Sequence, residues 1–276
     1  MSFIKAYAAA PTYVGVGDSV PGAAMYWGTH AYNSTYAAAG GSAFDLRRSS
    51  DNATMTAVYL TTGALDTATI SSWAGADNIF ISKAYDGTGS GRHVIQATPA
   101  SQPQLFLLGG PGGGPYIQSN GTAVGLSGVV TFAPSTGVMS VALVGLRQNS
   151  NVRGQGWARA NSNNGNGIMP ASAGTANRWR LLELGTGNGF LAVASDNAWH
   201  DAQGVINGAS SVLAIDNTDT TGITGINTNN LSPFFAGGSP FGVMLMTYAC
   251  FWDNIVLSGA QRSSIHTNDR AWPVAW

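Results

Sequence analysis

Through much of this chain apolar and polar residues change places at every second position, and few stretches keep a spacing of three to four. Val138, Ser140, Ala142 and Val144 fall on one side of such a run; in another, Arg178 and Arg180 stand opposite Trp179 and Leu181. A period of two is the mark of a half-buried β-strand. Strands are predicted over 43–47, 54–60, 79–84, 104–108, 128–133, 138–147, 178–184, 189–194, 211–215 and 243–252. Helical spacing is confined to three stretches. These are 22–39, then 66–74, where Asp66 can cap and Ile70 and Trp73 sit three apart, and 258–269, with Ser258 as N-cap and Ile265 facing inward.

Glycine and proline divide these runs. Asp86–Gly91 and Gly109–Pro115 are turns that no regular element crosses, and Gly185–Gly189 joins two strands as a hairpin. The polar, Asn/Gly/Thr-rich stretches 148–177 and 216–242 are predicted as loops. Pro11, Gly15 and Gly17 break up the start of the chain, so 1–20 is expected as an extended N-terminal arm and 21–276 as one domain. Many short strands with glycine-rich turns predict an all-β fold, a sandwich or jelly roll with short helices and a C-terminal helix.

Composition sharpens this picture. Only 9% of the 276 residues are charged and the formal net charge is −1, so nothing attracts phosphate backbones or anionic lipid. Neither nucleic acid nor membrane is an expected partner. Glu183 is the only glutamate, and Lys5 and Lys83 are the only lysines, which leaves few residues of the kind that decorate exposed helices. Cys250 stands alone among aromatic neighbours and reads as a small buried hydrophobe. No stretch has the apolar length of a leader or a membrane span, so synthesis in a cytoplasm is expected.

Candidate chemistry is sparse. No glycine-rich segment ends in the Gly-Lys-Ser/Thr of a phosphate loop. His30, His93, His200 and His266 are scattered, and Asp216–Asp219 lacks a bidentate acid downstream, so neither a metal nor another cofactor is expected. Trp157, Trp179 and Trp199 lie in or beside the loop-rich middle, where an exposed indole can stack on a sugar ring; burial in the core is the competing reading. A glycosidase built from aspartates alone would need two of Asp196, Asp201, Asp216, Asp219 and Asp253 opposed across a cleft.

Five segments in order carry a resemblance: Leu46–Asn52, Gly63–Thr67, Tyr85–His93, Gln96–Thr98 and Gln102–Pro103. Over this quarter of the chain the sequence resembles the catalytic module of arabinofuranosidase B-type glycoside hydrolases, and resembles still more the form of it found in tailed-bacteriophage virion proteins. Phe251–Ser258, running into a helix, is similar to the closing strand and helix of concanavalin/laminin-G-like sandwiches. The resemblance implies that sandwich fold. It also implies a nucleophilic Glu in an Asp-x-Glu-Asn segment, which this sequence lacks, and an acid/base Asp after two glycines, where Gly237-Gly238-Ser239 stands instead. Glu183 lies in another context, and the family's vicinal disulfide is impossible with one cysteine. Retaining hydrolysis needs two carboxyl groups about 5 Å apart.

The expectation is therefore a non-enzymatic structural component of a phage particle, a capsid decoration, head fibre or tail fibre. It would be homo-oligomeric, a trimer for instance, located in the virion and bound to other virion proteins. The alternative is a module gripping host-surface glycan. Arg47 and Arg48, adjacent on a strand, should point to opposite faces, one pairing with Asp51 or Asp86; with Asp66 and the Tyr85-Asp86 turn they are read as structural.

Overall fold

The structure is a computed structural model. It describes residues 13–119, 124–128, 136–147, 155–161, 164–172, 175–183, 189–194, 198–222, 224, 232–237 and 244–271. In chain order the elements are α1 (Val16–Ser19), β1 (Met25–Gly28), α2 (Ser34–Ala38), β2 (Ser42–Arg48), β3 (Thr54–Val58), α3 (Thr67–Ala74), β4 (Ile79–Ala84), β5 (Val94–Ile95), β6 (Gln104–Phe106), β7 (Tyr116–Gln118) and β8 (Val124–Gly128). They continue with β9 (Met139–Arg147), β10 (Gln155–Asn161), β11 (Asn164–Ser172), β12 (Thr175–Glu183), β13 (Gly189–Ala194), β14 (His200–Ile206), β15 (Ser211–Ile215), β16 (Thr218–Gly222), β17 (Ser232–Gly237), β18 (Met244–Asp253) and α4 (Gly259–Ala271).

The sheet divides at β4. One edge of this strand pairs with β2, which carries β3 on its far side. Along its other edge, Ile79–Phe80 pair with β6 and Lys83–Ala84 with β5. From β6 one leaf runs β7–β18–β9–β14–β15–β16. From β5 the other runs β8–β17–β10–β11–β12–β13. Every pairing is antiparallel, and β1 completes the first leaf by pairing with β18, Met25 opposite Phe251. The result is an all-β sandwich.

Two apolar clusters hold it. The larger joins Trp27, Phe44, Leu46, Ile70, Ile81, Leu143, Trp179, Leu181 and Phe251. The second lies under α4 and gathers Val16, Tyr26, Val144, Tyr248, Cys250, Trp252 and Ile265. Gly28 is obligatory at their border, because a Cβ there would overlap the Tyr248 Cβ and press on the Thr247 carbonyl.

Several expected elements take the bounds predicted for them. β4 and β15 match residue for residue. Asp66 caps α3 by accepting the Thr69 N–H at 3.1 Å, and Ser258 begins α4 with the reciprocal pair of a capping box: its hydroxyl accepts the Gln261 N–H while Gln261 Oε1 accepts the Ser258 N–H. Elsewhere the structure departs from expectation. The predicted helix at 22–39 is strand β1 followed by the short α2. The predicted loops contain β10, β11, β16 and β17, and β14 was not foreseen. Of the expected arm, residues 13–20 include the turn α1 and bury Tyr13, Val16 and Val20 in the core; residues 1–12 lie outside the described residues. So does the turn of the Gly185–Gly189 hairpin, although β12 and β13 do pair.

Candidate functional site

The residues that carry the resemblance are ties between strands. Consecutive on β2, Arg47 and Arg48 diverge. Arg48 forks onto Asp51 through Nε (3.0 Å) and Nη2 (2.6 Å), donates Nη1 to the Trp73 carbonyl and lies over the Trp73 ring. Those bonds, with the Ala53 N–H, hold the Asp51 carboxyl down at about 2. Arg47 donates Nε to Gln102 Oε1 at 2.7 Å and Nη1 to Asn52, above the Phe80 ring. Asp86 therefore takes neither guanidinium. Its buried carboxylate accepts the N–H groups of Tyr26, Thr88 and Arg92 and the hydroxyls of Thr88 and Ser90. Tyr85 turns the other way and donates to Asp45.

The three tryptophans meet different fates. Trp179 on β12 is 0% exposed and belongs to the larger apolar cluster; a sugar cannot reach it, which corrects its reading as a platform. Trp199 is half-buried, packs on the second cluster and meets Tyr116 in a T-shaped contact at 5.8 Å. Tyr116 in turn stacks on its cross-strand partner Phe106 at 4.9 Å, so this indole serves a ring cluster. Trp157 lies on β10, and its side chain falls outside the described residues.

Sequence reasoning missed the polar cluster beneath α4. His200 Nδ1 lies 2.7 Å from Asp216 Oδ2, and Arg270 Nη2 reaches Asp216 Oδ1 at 3.0 Å. Burial alone would raise the Asp216 carboxyl, but His200, the Asp201 N–H and Arg270 together bring it below its ordinary value. One residue deeper, Asp201 is 1% exposed; it meets His266 Nδ1 at 2.8 Å and accepts the Gln203 amide on both oxygens. Asp269, also buried, accepts the Tyr248 hydroxyl at 2.7 Å, and Arg262 pairs with Asp219. The signal was present in the helix itself. Arg262, Ile265, His266 and Asp269 share one helical face, so a predicted inward Ile265 already implied inward polar neighbours.

Of the five aspartates weighed for hydrolysis, Asp201 and Asp216 are thus roofed by α4, and Asp219 is engaged by Arg262. Asp196 lies outside the described residues, as do Ser239 and the side chain of Glu183. Asp253, at the end of β18, is different. Partial burial raises its carboxyl above the ordinary range, against the pull of the nearby Arg92, and its Oδ1 is buried without a hydrogen-bond donor among the described residues. Among the described residues no group of three or more His, Cys, Asp or Glu is placed to hold a metal.

Comparison with solved structures finds the whole sandwich again. A family 54 glycoside hydrolase, an α-L-arabinofuranosidase soaked with a cyclic sulfate inhibitor, superposes with a TM-score of 0.71 at 14% identity, over 92% of this chain and 63% of that one. An arabinofuranosidase in complex with arabinofuranosyl-α-1,2-xylobiose gives 0.70 at 15% identity, with the same coverage. The chain therefore spans less than two thirds of the length of these structures, and at such identity the likeness establishes the fold. No protein-family model matches the chain, and no curated protein does.

This finding overturns the expectation of a non-enzymatic phage-particle subunit. The solved structures named above, which superpose over 92% of this chain, are glycoside hydrolases, and the likeness brings no support for a virion role or for host-surface adhesion.

Proposed function

We propose that this chain is a carbohydrate-active domain of the glycoside hydrolase kind, directed at arabinofuranosyl-bearing saccharides. What supports the reading is the agreement of the backbone with arabinofuranosidases over 92% of the chain. The substrate class is drawn from the ligands those proteins carry. Since the Asp-x-Glu-Asn segment that the resemblance implies is absent and Ser239 stands where that resemblance places an acid, both carboxyl groups of the reaction would have to be aspartates, and the described residues offer a candidate for the acid role. Among the described aspartates weighed for hydrolysis, Asp253 is the one whose carboxyl desolvation pushes up, and a neutral acid is what the leaving glycosidic oxygen requires.

The test is release of nitrophenol from 4-nitrophenyl α-L-arabinofuranoside and of arabinose from an arabinofuranosylated xylo-oligosaccharide. Turnover above background, lost in Asp253→Asn with the thermal transition retained, is the expected result. Absence of release from both substrates by the intact chain overturns the hydrolytic reading, whether or not the sugars bind.

A further inference from the structure

The outer face of the first leaf is neither bare nor charged where β6 and β7 meet. Leu105 and Ile117 belong to the larger apolar cluster, so the residues on either side of them, Gln104, Phe106, Tyr116 and Gln118, lie on the opposite face. All four are half-buried, and Leu108, two residues beyond Phe106, is 78% exposed. Ring and aliphatic surface left in water beside uncharged amides marks a place of contact.

The ring pair defines what that place can receive. Phe106 and Tyr116 are cross-strand partners, and their rings are parallel to within 4° with centroids 4.9 Å apart. That separation equals the spacing of neighbouring strands, so the rings stand upright on the sheet. Tyr116 covers one face of Phe106, and the other is turned toward β4. On that side Phe80 lies opposite Gln104 and Ile79 opposite Leu105, which brings Asn78 level with Phe106. Asn78 is exposed, and its Oδ1 accepts Gln104 Nε2 at 3.1 Å. The bond leaves Gln104 Oε1 and Asn78 Nδ2 uncommitted among the described residues, an acceptor beside a donor. Gly109, at φ +98°, lies against Tyr116, where a Cβ would come 3.4 Å from Cε1, and so keeps Leu108 next to the rings.

An aromatic face flanked by one donor and one acceptor complements a sugar ring, whose C–H groups lie on the aromatic and whose neighbouring hydroxyls each donate and accept. No unmatched charge adjoins it: Asp77, next to Asn78, is met by Arg48 at 3.7 Å and by the Ser50 hydroxyl. We infer that Phe106, Asn78 and Gln104 form a secondary binding site for a neutral main-chain sugar of the arabinofuranosyl-bearing saccharide; the identity of that saccharide rests on the function proposed above. The site is separate from Asp253. Ile117 pairs with Met246, seven residues before Asp253 on β18, which is about 23 Å along the strand. A contact there tethers a polymer and raises its affinity by adding a second point of attachment, while a single-sugar substrate gains nothing from it.

Affinity electrophoresis of the full chain, in gels with and without soluble arabinoxylan, tests the site, because retardation requires binding and not turnover. Retardation is expected in arabinoxylan and not in polygalacturonate, a polymer of charged sugars. Phe106→Leu, Gln104→Leu and Asn78→Ala should each raise the apparent dissociation constant at least fivefold with the thermal transition retained. The two amide variants remove no core contact, so they decide the matter if Phe106→Leu unsettles the fold. Variant-sensitive retardation by a chain that releases nothing from either saccharide substrate supports this site while the hydrolytic reading falls. Absence of retardation in arabinoxylan, equal retardation in polygalacturonate, or retardation undiminished in any of the three variants overturns the inference, whether or not the chain hydrolyses.

Discussion

Asp86 Oδ1 accepts the backbone N–H of Tyr26 at 3.0 Å, so the turn after β4 and the strand β1 are fastened by one buried carboxylate. Because that carboxylate also serves the N–H groups of Thr88 and Arg92, removing it strands several buried donors at once. Asp86→Ala should therefore lower the unfolding free energy by about 3 kcal/mol or more. Asp86→Asn, with one acceptor oxygen left, should lose roughly half as much. Urea denaturation of the three proteins checks the order; an Ala variant within about 0.5 kcal/mol of wild type contradicts it.

Gly28 offers a steric test of the join between β1 and β18. With Tyr248 packed directly over it, Gly28→Ala must push the strands apart or displace a fully buried ring. The variant should lose roughly 2–4 kcal/mol or fail to accumulate in soluble form. A Gly28→Ala protein with an unaltered denaturation midpoint would show that the two strands lie further apart than described.

The tryptophans separate core from surface. Trp179→Ala removes a wholly buried indole and should cost roughly 3–5 kcal/mol. Trp199→Ala loses a partly exposed T-shaped contact with Tyr116 and should cost about 1 kcal/mol. Chemical denaturation compares them, and equal losses would contradict the assignment.

Asp269 also governs how global stability depends on pH. Its carboxyl holds a proton more tightly in the folded chain than at its ordinary value of 3.8. Its contribution is therefore complete below that value and declines as pH rises toward the folded value. Asp269→Asn removes this decline. Its thermal midpoint should match wild type near pH 4 and exceed it by several degrees at pH 8.5; a variant less stable than wild type at both pH values refutes the sign.

How much of this could be read from the sequence depends on what each residue faces. β4 and α3 were legible because Ile79 and Ile81 alternate with half-buried positions, and because Asp66 precedes its helix at capping distance. β14 was not, because His200–Ile206 is buried almost throughout and shows no alternation. The polar Thr218–Gly222 resembles a loop yet pairs along its length with β15; backbone pairing, not side-chain burial, makes it a strand. The resemblance segments pointed to the correct sandwich, but the inference from missing acids to a particle subunit did not hold. The α4 cluster escaped notice because its partners are far apart in the chain, Asp201 meeting His266 and Tyr248 meeting Asp269 only in the folded state.

Strand β18 has a consequence for how the molecule is born. It sits inside its leaf, flanked by β9 on one edge and by β7 and β1 on the other, yet residue 253 must leave the ribosome before that place can be filled. Until then β1, β7 and β9 are a ladder with its middle rung missing, exposing unpaired edges to neighbours. Maturation of this leaf is thus a late insertion, and a nascent chain stalled upstream of residue 244 should depend on holdase chaperones to stay dispersed.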